Sequence, residues 1–199
     1  MKILTALLCL NLTLSLFSAT EGWSADLQAG MDAYNKGDYE TTMREWKSLA
    51  EQGDSRAQFN LGVLYANGNG VPQNYQTAVT WWTLAAQQED MDAQYNLGLM
   101  YFNGDGVQQD YQTAAKWWTL AAQQGYVLAQ YNLGWLYHQG QGVLKDNIHA
   151  YMWFHIAASR GDEDAVRHRD IVAKEMTSED ISTAKTLVGE CAKKNYKSC

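Results

Sequence analysis

The feature that most constrains this chain is a segment that recurs every 36 residues. The stretch Ala57-Gln58-Phe59-Asn60-Leu61-Gly62 returns in nearly the same form at 93–98 and 129–134. A Gly-x-Gly-Val motif and a pair of neighbouring aromatic residues follow each copy at the same step. The glycine motifs start at Gly68, Gly104 and Gly140, and the aromatic pairs at Trp81, Trp117 and Trp153. Self-similarity at a fixed period of this length predicts an array of stacked structural units.

Within each unit the apolar residues have helical spacing. Ala57, Leu61, Leu64 and Tyr65 fall at i, i+4, i+7 and i+8, which predicts a first helix with one buried face. Glycines then interrupt the pattern, because they tolerate positive φ where the chain reverses. A second helix follows a side-chain acceptor suited to its N-cap, such as Asn74. The sequence therefore predicts an all-α fold built from helix hairpins.

The pattern A-x-x-x-L-G-x-x-Y, then G-x-G-V, an acidic or amide cap, A-x-x-W and A-A resembles the Sel1-like repeat, a branch of the tetratricopeptide superfamily. Three full copies lie between Ala57 and Asp164. The resemblance implies a right-handed superhelical solenoid of antiparallel helix hairpins. We predict a degenerate N-terminal repeat or cap at 25–56, Sel1-like repeats at 57–92, 93–128 and 129–164, and a C-terminal helical cap with a cysteine pair at 165–199.

The N-terminus has the three-part pattern of a secretory signal peptide. Lys2 precedes an apolar run from Ile3 to Phe17, and small residues follow that run. The run is short for a membrane-spanning helix, which makes a membrane anchor the less favoured alternative. We predict a signal peptide over 1–24 with cleavage between residues 19 and 25, and therefore an exported protein that is periplasmic or secreted.

Export also bears on the cysteines. After removal of the signal peptide, Cys191 and Cys199 remain as an even pair near the C-terminus. Oxidising compartments favour disulfides, so we predict a bond between them that ties the tail to the last helix. A C-x7-C spacing would need further ligands to bind a metal, and the nearest histidine, His168, is far away in the sequence.

The charge of the chain restricts its partners. The formal net charge is −7 at pH 7, and the lysines and arginines are scattered or gathered near the C-terminus. Nucleic-acid binding requires a basic face that neutralises phosphates, so no nucleic-acid partner is expected. No second long apolar stretch appears, which predicts no membrane span in the mature chain. We expect that chain to be a monomer.

No combination of residues in the sequence predicts catalysis, a cofactor or a bound metal. The G-x-G loops lack the Lys-Ser/Thr of a phosphate-binding loop and follow no strand, so we interpret them as turns. The four histidines do not form the i, i+4 pair with Glu of a helical zinc hydrolase. Ser182 and Lys185 match S-x-x-K, but the companion motifs of penicillin-recognising enzymes are absent. We predict that the protein is not an enzyme.

Resemblance to tetratricopeptide proteins implies that the first helices line the concave side of the solenoid. Residues that flank each Leu-Gly pair form a stripe there at i, i+4 and i+7. Our candidate partner-binding residues are Phe59, Val63, Tyr95, Leu99, Phe102, Tyr131, Trp135 and His138. Two interpretations stay open, namely accessible anchors for a partner and packing between hairpins. The position of Val63 varies between units whereas core positions barely change, as expected of a surface tuned to a partner.

Three functions are consistent with these features. The family resemblance implies a non-enzymatic adaptor or scaffold, in the bacterial cell envelope or secreted, that binds a protein or peptide on its concave face. One alternative is a β-lactam-recognising hydrolase, as proposed for cysteine-rich relatives, although the missing motifs argue against it. The other alternative is a permanent structural subunit of an envelope secretion or motility complex. Copurification distinguishes that subunit from the adaptor.

Overall fold

The computed structural model describes residues 27–197 and Cys199, and every regular element within them is a helix. The predicted signal peptide at 1–24 lies outside the described residues. Helix α1 covers residues 27–35. The helices that follow are α2 (Tyr39–Glu51), α3 (Ser55–Asn67), α4 (Tyr75–Ala86), α5 (Met91–Asn103), α6 (Tyr111–Gln123), α7 (Val127–Gln139), α8 (Asn147–Ala158), α9 (Glu163–Ala173) and α10 (Ser178–Lys193).

Consecutive helices pack as antiparallel hairpins, with α3 against α4, α5 against α6 and α7 against α8. The second helix of each hairpin also packs against the first helix of the next, so the hairpins form a continuous stack. The prediction of an all-α solenoid is confirmed. Across residues 27–197, no helix has both the length and the hydropathy needed to cross a membrane.

A glycine facing an indole ring sets the spacing of the two helices in a hairpin. A Cβ atom at Gly62 would lie 2.3 Å from Nε1 of Trp82, and one at Gly98 would lie 2.1 Å from Nε1 of Trp118. Each indole N–H donates to a backbone carbonyl of the first helix, at 3.1 Å in both hairpins. The helices can approach this closely because glycine leaves room for the ring.

Helices α1 and α2 share this internal design. A Cβ atom at Gly30 would lie 2.3 Å from Nε1 of Trp46. The indole of Trp46 donates to the backbone carbonyl of Leu27 at 3.3 Å. A short turn with Gly37 at φ 76° joins the two helices. The glycine–indole contact therefore extends to the N-terminal end of the described chain.

The Gly-x-Gly loops connect the helices of one hairpin and contact the hairpin before it. Gly104 ends α5 with φ 83°, and Gly106 follows with φ 70°. A Cβ atom at Gly106 would lie 2.5 Å from the backbone carbonyl carbon of Tyr75, so this loop packs directly on the start of α4. The second helices then begin at the predicted N-caps, whose side chains accept backbone N–H groups: Asn74, Asp110 and Asp146. These loops are the turns that the sequence predicts.

Buried glutamines connect neighbouring hairpins through side-chain amides. Nε2 of Gln58 donates to the backbone carbonyl of Ala50 at 3.1 Å, and its Oε1 accepts from Nε2 of Gln88 at 2.9 Å. Gln94 accepts in the same way from Gln124 one unit later, also at 2.9 Å. These pairs keep polar atoms satisfied within an otherwise apolar interior.

Helices α9 and α10 close the C-terminal end of the stack. Helix α10 begins at a capping box, in which Thr177 and Asp180 exchange hydrogen bonds with each other's backbone. It then packs across the outer side of α8. Cys191, near the end of α10, is bonded to Cys199 with the two Cα atoms 5.5 Å apart. The predicted disulfide is present, and it folds the tail back onto α10.

Candidate functional site

The eight predicted partner-binding side chains lie on the first helices α3, α5 and α7. Each of them is partly buried: Phe59, Val63, Tyr95, Leu99, Phe102, Tyr131, Trp135 and His138. Partial burial is compatible with both interpretations of this stripe, so the contacts of each residue decide what it can offer a partner.

Four of the eight residues come together in one groove of about 330 Å³ between α5 and α7. Leu99 and Phe102 line it from α5, and Tyr131 and Trp135 line it from α7. Phe102 and Trp135 meet edge to face, with ring centroids 5.6 Å apart. The remaining lining residues are Asn103, Trp118 and Asn132. The groove thus combines aromatic walls with two side-chain amides.

A second groove, of about 450 Å³, lies one unit earlier between α3 and α5. Val63 is the predicted residue that lines it, at the position equivalent to Leu99. Ala66, Asn67, Trp82 and Asn96 occupy the positions equivalent to Phe102, Asn103, Trp118 and Asn132. The small side chain of Ala66 replaces a phenyl ring, which opens this groove further. Five lining positions therefore recur at the 36-residue step.

The other three predicted residues line neither groove. The ring of Tyr95 stacks on that of Tyr126 with centroids 4.7 Å apart. His138 lies 3.2 Å from Oδ1 of Asn147, measured from Nδ1, and 4.0 Å from Oε2 of Glu175. Phe59 packs against the buried cluster around Trp82. These three side chains contact neighbouring helices, so packing between hairpins describes them better than anchoring.

The groove between α5 and α7 is electrically neutral at its aromatic wall. Burial raises the pKa of Tyr131 above its usual value, and the nearby carboxylates of Asp164 and Asp162 add a smaller effect in the same direction. The phenol therefore keeps its proton at neutral pH, and its oxygen lies 3.4 Å from Nδ1 of His168. Burial likewise raises the pKa of Tyr95. The tyrosines on this face can act as uncharged hydrogen-bonding groups.

A family model described as Sel1 repeat matches this chain at residues 55–90, 92–126 and 127–162. The chain belongs to the Sel1 repeat family. Each matched unit corresponds to one of the hairpins α3–α4, α5–α6 and α7–α8, so the family model and the helix hairpins describe the same units. No curated protein matches the chain significantly.

Solved Sel1 repeat structures resemble this one. A protective antigen with an SLR fold from uropathogenic Escherichia coli strains is 31% identical, with a TM-score of 0.76 over 90% of this chain. The present chain spans only 40% of that protein. A Sel1 repeat protein from Oxalobacter formigenes is 28% identical, with a TM-score of 0.66 over 83% of this chain and 75% of its own. Cysteine rich protein B of Helicobacter pylori shares the fold at 24% identity and a TM-score of 0.51, over 65% of this chain and 92% of its own.

Sequence reasoning missed the amides that line the Sel1 repeat grooves. Asn96 and Asn132 each precede a Leu-Gly pair, and Asn67 and Asn103 each end a first helix. The signal was in the sequence, because an asparagine recurs beside the core face at every 36-residue step. The indoles of Trp82 and Trp118 are buried, yet each also forms part of a groove wall.

The S-x-x-K residues lie away from both grooves. Ser182 and Lys185 are exposed on α10, and within residues 27–197 no hydrogen bond joins their side chains. No group of three or more His, Cys, Asp or Glu side chains in the described part of the chain is arranged to hold a metal ion. The chemistry that these two grooves offer is that of non-covalent binding, through aromatic surfaces and amides.

Proposed function

We propose that this Sel1 repeat protein is a non-enzymatic adaptor of the cell envelope, periplasmic or secreted, that binds a peptide segment of a partner protein along its first-helix grooves. Sel1 repeats mediate protein–protein interaction in general. The observation that carries the proposal is the pair of equivalent grooves one repeat apart, each with an aromatic wall and side-chain amides.

The repeated asparagines suit the backbone of a bound peptide. A side-chain amide has both a donor and an acceptor, as a peptide group does, so each asparagine can pair with one peptide group of an extended chain. Asn96 and Asn132 present such amides in consecutive grooves. Backbone recognition of this kind is insensitive to sequence, so it provides affinity while the side-chain pockets provide specificity.

The groove between α5 and α7 supplies a pocket for one apolar side chain of that peptide. Phe102 and Trp135 form a corner of aromatic rings, and aromatic residues in a desolvated pocket contribute most of the energy at typical interfaces. Between residues 57 and 144 the only charged side chains are those of Glu89, Asp90, Asp92, Asp105, Asp110 and Lys116. With five acids and a single base, this region favours a peptide that is neutral or weakly basic near the pocket.

Export is supported by two features that lie far apart in the chain. The first residues have the composition of a signal peptide. At the other end, Cys191 and Cys199 form a disulfide, a bond that is rare in reducing compartments. This chain also resembles a protein of uropathogenic Escherichia coli strains that is described as a protective antigen, and export of the present chain is consistent with that resemblance.

Site-specific photocrosslinking in the native envelope tests the proposal. A benzoylphenylalanine at position 102 places the reactive ketone in the groove, and one at position 144 provides the matched control, since Leu144 is 89% exposed and lines neither groove. We expect a discrete crosslinked partner from position 102 alone. An excess of unlabelled protein should suppress that crosslink, whereas an excess of a Trp135→Ala variant should suppress it at least about tenfold less well.

Thermal melting of Trp135→Ala separates binding from packing. If the variant keeps its melting temperature but fails to compete, Trp135 is an anchor. A large drop in melting temperature would show that the indole holds α5 and α7 together instead. Crosslinks of the same pattern from positions 102 and 144 would contradict a partner site in the groove.

A further inference from the structure

The outer face of the second helices is covered in one repeat and open in the others. In α8 this face consists of Met152, Trp153 and Ile156, each no more than 2% exposed. Leu187, Val188 and Cys191 of α10 pack in the same buried cluster, and Sγ of Cys191 lies 3.7 Å from Sδ of Met152. Helix α10 is therefore a long amphipathic helix docked on the outside of a Sel1 repeat.

One unit earlier, the equivalent face of α6 has no such cover in the described part of the chain. Lys116, Trp117 and Leu120 take the places of Met152, Trp153 and Ile156. Leu120 is 43% exposed, whereas its equivalent Ile156 is 2% exposed. In α4 the equivalent Leu84 is 40% exposed. The two open repeats thus display the aliphatic residue that the third repeat buries.

A groove of about 540 Å³ runs beside the open face of α6 and reaches the C-terminal tail. Leu120, Gln123 and Gln124 line one wall, and Asn195 and Lys197 of the tail line another. The remaining lining residues are Glu89 and Gln94. The open face of α6 is therefore continuous with the elements that cover α8, so the docked helix and the groove form neighbouring parts of one outer surface.

The open face is also poor in charge. Helix α4 has no charged side chain, and Lys116 is the single one in α6. Helices that face water normally have many charges on their outer side. Depletion of charged residues around the exposed Leu120 and the half-buried Trp117 is characteristic of the central part of a protein interface.

We propose that the outer face of α6, centred on Leu120, is the docking site for an amphipathic α-helix of a partner protein. That helix packs on α6 as α10 packs on α8, and it lies beside α10. Helix α10 indicates the chemistry of that partner. Its residues in buried clusters, Ile181, Ala184, Val188 and Cys191, have the spacing i, i+3, i+7 and i+10. A partner helix with small and aliphatic residues at that spacing fits this face. The site lies on the second helices, so it is independent of the grooves between the first helices.

A peptide with the sequence of residues 178–193, carrying Cys191→Ala and a fluorophore, is the probe for this site. Its fluorescence anisotropy is followed during titration with the intact mature protein. We expect saturable binding to the wild type. The Leu120→Glu variant should bind at least about tenfold more weakly, because a carboxylate then faces the apolar stripe of the peptide. The matched Leu144→Glu variant, changed at a residue that is 89% exposed, should bind as the wild type does.

Two controls make the result decisive. A peptide with Val188→Asp in addition should not bind, since the change interrupts the apolar stripe. A photoreactive leucine at position 187 of the probe should crosslink to α6 of the intact protein. The melting temperature of that protein should equal that of the wild type, which shows that it is folded. The proposal is overturned if the peptide fails to bind at about 1 mM, binds Leu120→Glu and wild type equally, or crosslinks to α8 by displacing α10.

Discussion

The middle of the solenoid and its C-terminal cap are equally helical but have opposite surfaces. Residues 57–144 include six charged side chains, whereas the shorter segment 163–199 includes fourteen. The cap is covered with the charges that keep a protein soluble, and the middle instead exposes Gln, Asn and Leu. A surface with few charged side chains from α3 to α7 is suited to contact with other macromolecules. The difference therefore locates both proposed partner sites in the middle of the chain.

The two regions also differ in the residue that follows the second helix of each hairpin. In the middle, the glutamines at positions 88 and 124 donate to Gln58 and Gln94. The equivalent residue in the third repeat is Arg160, which donates to the carbonyl of Gly125 and lies over the ring of Tyr196 at 4.9 Å. Within the described residues Oε1 of Gln130 is left without a partner. The third repeat therefore lacks the amide pair that joins the two helices of each earlier hairpin.

Alanine at two helical glycines should have opposite effects in the two regions. At Gly98 a Cβ atom would collide with Trp118, whereas at Gly189 in α10 no other group lies within 4 Å. We expect Gly98→Ala to lower the free energy of unfolding by about 3 kcal/mol through overpacking. Gly189→Ala should raise it by about 0.5 to 1 kcal/mol, because alanine favours the helix. Urea unfolding followed by circular dichroism measures both.

Similar effects of the two substitutions would contradict this difference. If Gly98→Ala is tolerated, the indole of Trp118 is free to move, and the glycine–indole contact does not set the spacing of the hairpin. If Gly98→Ala is destabilising as expected, a Trp118→Ala change in the same background provides the check, since removal of the ring should relieve the collision and make the two effects non-additive.

Loss of the disulfide should weaken the cap and leave the middle unchanged. Cys199→Ser removes the bond without altering the buried side chain of Cys191. A closed loop of eight residues predicts a loss of about 2.5 kcal/mol at most, from greater freedom of the unfolded tail. Hydrogen exchange should become faster in α10 and stay the same in α4 and α6. Two reactive thiols in denatured, unreduced mature wild-type protein would refute the bond itself.

Most of the fold could be predicted from the sequence because local rules and the repeat agree. The cap at Asn74 and the helical face around Leu61 depend on residues within one unit, so their spacing is sufficient to place them. The disulfide could be predicted equally well, because Cys191 and Cys199 lie close together in the sequence. The signal-peptide pattern also indicates an oxidising compartment, which favours a disulfide over free thiols.

The candidate site was only half predictable, since it depends on contacts between units. The stripe of i, i+4 and i+7 residues correctly grouped Leu99 with Phe102 but not with their neighbours across the groove. Tyr95 has the same place in its unit as Tyr131, yet Tyr95 stacks on Tyr126 whereas Tyr131 lines the groove. Equivalent residues acquire different surroundings as the next hairpin changes, and no single unit contains that information.

The smallest expected difference between the two regions is in the pH dependence of stability. It depends on His155, whose equivalents in the middle repeats are threonines. The threonines at positions 83 and 119 donate their hydroxyls to backbone carbonyls one turn earlier. His155 instead lies near α9 and α10, where burial, then Arg169 and Lys185, lower its pKa. Its Nδ1 is buried and has no hydrogen-bond partner within the described residues. A neutral imidazole is therefore favoured in the folded protein.

Mild acid should weaken the cap through this histidine. Because the folded pKa is below the usual 6.5, the unfolded chain binds the proton more tightly, so stability falls as pH drops below about 6.5 and levels off below the folded pKa. Restoring the residue of the middle repeats with His155→Thr should remove this component. The measurement is the melting temperature of both proteins from pH 7.5 to 5, with the wild type losing more. The difference between the two curves cancels the other histidines, and parallel curves would show that His155 titrates alike in the folded and unfolded states.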